Sequence, residues 1–159
     1  MPYMEFLRGI IKQTALNAYA QVAIRTPTSK TEVMAMLIHD IELIQECPEV
    51  IDATITVLRY HIADRTHTFV RGQEVEGVLI FTSIGVNAGA TQGTLSEYMS
   101  IWQEGSPYRH FDPPVLYARD EIYLGMESVA CTGLHMGVVQ IGYTLERVSR
   151  EDFIAALVD

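Results

Sequence analysis

The sequence predicts a mainly β protein, an antiparallel sandwich or barrel of seven to eight strands with short helices as trim. The first observation is a set of segments rich in Val, Ile, Thr and Tyr, separated by Pro, Gly, Asn and Asp. The second is the absence of any regular strand–helix alternation, which argues against a doubly wound α/β fold. The third is the clean two-residue period near the C-terminus: Val139, Ile141, Tyr143 and Leu145 share one face, and Gln140, Gly142, Thr144 and Glu146 the other.

Taken in order, Phe6, Leu7, Ile10, Ile11 and Ala15 have helix-like spacing and predict a short N-terminal helix or ordered arm over 1–17. "AYAQVAIRT" (18–26) is a strand ended by the turn at Pro27. "VMAMLIHDIELI" (33–44) places Val33, Ala35, Leu37, Ile41 and Leu43 on one side and Met34, Met36, Ile38 and Ile44 on the other. It therefore reads as a strand buried on both faces. Strands follow at 53–63 and 77–85. A glycine-rich loop then leads to the Thr94-x-x-Glu97 capping box, which predicts a short helix over 95–104. "SPYRHFDPP" reads as loop, 115–129 as two strands or one bent at Arg119-Asp120, and 137–148 as the last strand. Ser149-x-x-Asp152 then caps a C-terminal helix over 149–159. The expected organisation is a single domain, 1–159, with the sandwich over 18–148.

A chain of 159 residues with 48% apolar content can bury a real core. Eleven Lys and Arg against twenty Asp and Glu give a net charge of −9, with no basic cluster. Neutralising nucleic-acid phosphates or anionic lipids requires such a cluster, so neither partner is expected. No apolar run is long enough for a membrane helix, and the N-terminus lacks a secretory apolar region, so a soluble, cytoplasmic protein is one expectation. Cys47 and Cys131 lie in no CxxC pair; they could form one disulfide, but two separate buried thiols are the expectation.

Catalytic motifs are sparse. No G-x-S-x-G, Walker A or G-x-G-x-x-G motif occurs, so no cofactor is expected and the chain is not expected to be an enzyme. His61, His67 and Glu74 offer an alternative metal-binding reading of cupin type, although six residues separate the histidines and no His-x-His is present. Cys131 with His135 is the one nucleophile–base pair close in sequence. Pairs such as Asp120-Glu121, Glu74/Glu76 and Glu151-Asp152 read as solvated charge.

The segments "AYAQVAIRT", "VMAMLIHDIELI", "ATITVLRYHIA", "GVLIFTSIG", "VLYARDEIYLGMES" and "GVVQIGYTLERVS" lie in an order that resembles the single jelly-roll coat proteins of small icosahedral viruses and related virus-like shells. The resemblance spans roughly 18–148 and is one of layout. It implies eight antiparallel strands in two facing sheets and many copies packed around symmetry axes, in a virion that can hold other proteins. Such coats often carry a basic arm; here the arm has only Arg8 and Lys12. Aromatic and Met residues in the longest connection, Tyr98, Met99 and Trp102, and the apolar residues Phe153, Ile154 and Leu157 of the last helix are the expected contact surface with other copies. A cupin-like barrel and a receptor- or carbohydrate-binding domain are the competing functional classes.

Overall fold

A computed structural model describes residues 3–51, 54–88 and 99–158, and nine strands and one helix are formed among them. In chain order these are β1 (Glu5–Lys12), β2 (Ala20–Arg25), β3 (Met34–Gln45), β4 (Ile55–Ala63), β5 (Val78–Ala88), β6 (Met99–Gly105), β7 (Tyr108–Tyr117), β8 (Glu121–Val129), β9 (Met136–Arg147) and α1 (Arg150–Val158). They form two antiparallel sheets, one ordered β1-β9-β3-β7 and the other β2-β8-β4-β5-β6.

Alternating side chains from each sheet meet in one core. Met36, Ile38, Ile41 and Leu43 of β3 and Val139 and Ile141 of β9 face Leu58, Tyr60 and Ile62 of β4 and Leu124 and Met126 of β8. Each such side chain contributes roughly 1.5–3 kcal/mol when fully buried. Tyr60 spans the layers, and its hydroxyl donates to the Met136 carbonyl at 2.9 Å, which satisfies the one polar atom it brings inside.

Strand β3 is buried on both faces only in its first half, where Met36 and Ile38 enter the core and Ala35 is buried on the other side. Its pairing with both β7 and β9 slips between Ile38 and Asp40, so His39 is an inserted residue and the side-chain parity changes there. Met36 and Ile38 before the slip, and Ile41 and Leu43 after it, all point into the core. The opposite face carries Asp40, Glu42 and an exposed Ile44. His39 bonds Thr144 through Nε2 and Oγ1 at 2.9 Å.

Three further expectations change. Residues 5–12 form a strand, not a helix: they pair with β9 from Glu5–Tyr143 to Lys12–Met136, and only the Leu7, Gly9, Ile11 face turns inward. Of the helix expected over 95–104, residues 99–104 are the edge strand β6 paired with β5, while 95–98 lie outside the described residues. The segment 108–114, read as loop, opens β7. Its pairing with β3 is interrupted between His110 and Val115, so Pro113 and Pro114 occupy the irregular part of an edge strand, where a missing N–H is tolerated.

The C-terminal helix forms as expected. The Ser149 hydroxyl accepts the Asp152 N–H at 3.0 Å and donates to the Asp152 carboxylate at 2.6 Å. Phe153 is buried against Ala35 and Ala118, with Leu116, Ala156 and Leu157 beside it. Ala35 neighbours the core residue Met36, so α1 covers the outer face of the first sheet at its Ala35 end. Phe153→Ala should therefore lower unfolding stability by about 3 kcal/mol in urea titrations, while Ile154→Ser should stay within about 0.5 kcal/mol. Equal effects would remove the helix from this packing.

Candidate functional site

At one end of the sandwich the residues after β1, after β3 and before β9 come together, because Lys12 lies opposite Met136 and Gln45 opposite Gly137. A polar lattice ties them. The Gln13 N–H donates to the His135 carbonyl, and its side-chain oxygen accepts the His135 N–H, both at 2.9 Å. Asn17, whose φ of +52° suits asparagine better than most residues, accepts the Cys131 N–H at 2.9 Å and donates to the Cys131 carbonyl at 3.0 Å. The Glu49 carboxylate accepts the N–H groups of Thr132 (2.7 Å) and Gly133 (2.5 Å).

Three donor atoms converge inside this lattice. Glu49, Cys131 and His135 each present one, and all lie within 4.8 Å of one another. His135 is buried; its Nδ1 lies 2.8 Å from a Glu46 oxygen and its Nε2 3.3 Å from Glu49 Oε1. Burial pushes the Glu49 carboxyl up, but the two backbone N–H groups and His135 outweigh this and hold it below the usual carboxylate range. Burial pushes the Cys131 thiol up, and the nearby Glu49 charge adds to the effect. A thiol held protonated is a poor nucleophile, so Cys131 and His135 are adjacent without forming an activated pair. Cys47 is exposed and Cys131 buried, and both are free.

The alternative metal set is placed differently. His61 lies on the outer face of the second sheet, opposite Gly125 and Phe81, yet it is fully buried beneath residues 64–77 between β4 and β5. Its Nδ1 accepts the Arg71 N–H at 2.9 Å, so the neutral ring carries its proton on Nε2 and donates to the Tyr19 oxygen at 3.0 Å. Tyr19 donates in turn to Gln21 Oε1 at 2.9 Å, which also accepts the His67 N–H at 2.9 Å. The His67 ring lies beside that of His61, with centroids 5.1 Å apart. Both nitrogens of His61 are thus engaged, and the Glu74 carboxylate folds over Gly72 instead of joining them. This cluster pins a loop to a sheet.

The expected contact residues divide. Phe153 is buried within its own chain and Leu157 packs partly beside it, whereas Ile154 and Val158 are exposed. Trp102 packs against Gly85, its partner across the β5–β6 ladder, where a Cβ would come within 2.2 Å of the ring. Met99 begins β6, and Tyr98 lies outside the described residues. Sequence reading missed the exposed apolar residues of the first sheet and the loop end. Ile10, Val138 and Ile44 form one cross-strand row on its outer face, with Ile10 and Ile44 54% and 61% exposed. Leu16, Val50 and Leu134 add exposed apolar side chains on the three joined connections.

Comparison with protein-family models and with curated proteins finds no match for the chain.

Burial, then the neighbouring His67, depresses the His61 pKa from 6.5 to about 4. The unfolded chain gains this proton below its ordinary pKa, and the folded chain gains it only near 4. Stability is therefore full above that ordinary value and is lost as the pH falls through this window, by up to about 3 kcal/mol. Chemical denaturation at stepped pH should show this loss, and His61→Gln should abolish that part of it. Gly125→Ala places a Cβ 2.4 Å from both His61 Nε2 and the Tyr19 hydroxyl. It should cost about 1–3 kcal/mol by the same assay.

Proposed function

We propose that the chain is a structural, shell-forming subunit of jelly-roll type, a viral or virus-like coat protein whose main partner is another copy of itself. The strand order carries this reading. Orders β1-β9-β3-β7 and β2-β8-β4-β5 fit what two Greek keys wound into facing four-stranded sheets would give, with β6 as an additional edge strand, and this supports the reading. The layout resemblance noted in the sequence belongs to the same reading, and a virion would be its location.

The exposed apolar row Ile10–Val138–Ile44, continued by Leu16, Val50 and Leu134 at the loop end, supports contact between copies. Charged residues flank it at Arg8 and Lys12 on one side and Glu42 and Glu46 on the other, so a neighbour can pair opposite signs around an apolar centre. With a net charge of −9 per chain, packed copies repel one another, and assembly should strengthen with salt. Direct packaging of nucleic acid by this acidic surface is not part of the proposal.

The cupin-like reading calls for a hollow between the sheets with ligands pointing inward. Here that space holds Met36, Ile38, Ile41, Leu58, Tyr60 and Met126, while His61 points away from it. A receptor- or carbohydrate-binding domain calls instead for a small oligomer.

Light scattering and negative-stain imaging of the purified native chain are expected to reveal closed, uniform particles far heavier than 17.8 kDa. Ile44→Asp with Leu134→Asp should dissolve them without lowering the thermal midpoint of the subunit. A monomer or small oligomer across a range of salt concentrations would overturn the proposal.

A further inference from the structure

We propose that Glu49, Cys131 and His135 form a binding site for one zinc-type divalent ion, which clamps together two connections at the loop end of the sandwich. The inference is independent of the shell reading. It begins with His135, which is 8% exposed. Glu46 accepts the proton on Nδ1, so the neutral ring carries a lone pair on Nε2. That nitrogen is buried, has no hydrogen-bond partner, and faces a Glu49 oxygen 3.3 Å away. Two acceptors turned toward each other in a buried place repel unless a cation lies between them.

The third donor completes the set. The Cys131 thiol lies 3.7 Å from the Val129 carbonyl and 4.0 Å from the Val57 carbonyl and interacts with the Glu49 carboxylate, and its sulfur lies within 4.8 Å of the other two donor atoms. Around a tetrahedral zinc the ligand atoms stand about 3.3–3.8 Å apart, so the three need to close by only about 1 Å. One sulfur, one imidazole nitrogen and one carboxylate oxygen form a donor set suited to a borderline-soft ion of this kind. On binding, the thiol proton leaves to solvent and the thiolate takes its place on the ion; a water fills the fourth position.

The surroundings hold these donors in place. Glu46 on Nδ1 stands where metal-bound histidines commonly meet an outer carboxylate. Backbone N–H groups of Thr132 and Gly133 fix the Glu49 carboxylate, and Asn17 grips the backbone of Cys131 on both sides. The alternative occupant is a proton, giving an imidazolium bridged between Glu46 and Glu49.

The test titrates Co²⁺ into the chelator-stripped full chain and follows its absorption. One equivalent should bring up a thiolate-to-cobalt charge-transfer band in the near ultraviolet. Zn²⁺ should displace it and raise the thermal midpoint by a few degrees. Cys131→Ser and His135→Gln should each lose the band, Cys47→Ser should keep it, and Glu46→Gln should keep it with affinity lowered about 10- to 100-fold. Absence of the band from the folded wild-type chain, or its survival in Cys131→Ser, would overturn the site and leave the bridging proton as the occupant.

Discussion

Strand β9 is hydrogen-bonded along both edges, to β1 on one side and to β3 on the other, and the remaining architecture is arranged around that double pairing. It joins residues at opposite ends of the chain: the Tyr143 hydroxyl reaches the Glu5 carboxylate across 138 positions. Closing so long a loop is entropically costly and is repaid only when both sheets meet over a shared core, so the sandwich gains little from any single hairpin. The same register sets Lys12, Gln45 and Met136 side by side and so decides which connections meet at one end. At its other end β9 runs into the Ser149 cap, which delivers α1 to the outer face of its own sheet.

Much of this was legible in the residues wherever a strand lies mid-sheet with one wet face. Positions 139–145 alternate in the sequence, and the structure keeps that alternation through Val139, Gln140 and Ile141, whereas Gly142, Tyr143 and Thr144 are all buried. The capping box at Ser149 is a local pattern satisfied by local hydrogen bonds, so it too was readable. Legibility failed at edges and at irregularities. Phe6 and Ile10 sit on an edge strand with an exposed face, and the Phe6-Leu7 and Ile10-Ile11 pairs fit a helical period as well as a strand. Pro113 and Pro114 signal a loop, but at an edge the sheet does not need their N–H groups. In β3 a single inserted histidine shifts the phase, which made the second half of the strand look buried on both sides, as its first half is.

The loop-end cluster was half visible. Cys131 and His135 stand four residues apart in sequence, and that spacing alone gave no reason for contact. Glu49 completes them from 82 positions before Cys131, brought there by the same pairing of β3 with β9 (131 − 49 = 82). No local period encodes such a meeting. His61 illustrates the converse: it is a strand histidine whose outward direction follows from alternation, but whose burial depends on a polar loop that carries no hydrophobic signature.

The two cysteines differ in access as well as in surroundings, and this has a practical consequence. Cys47 is exposed one residue beyond Glu46, while Cys131 is shielded within the lattice. A thiol-reactive fluorophore will therefore mark a single position, beside the joined connections. Its emission will report the solvation of that end of the sandwich without any engineered residue. The same open thiol makes air-oxidised preparations prone to reducible cross-links between copies, so samples intended for mass measurement belong in a reducing buffer.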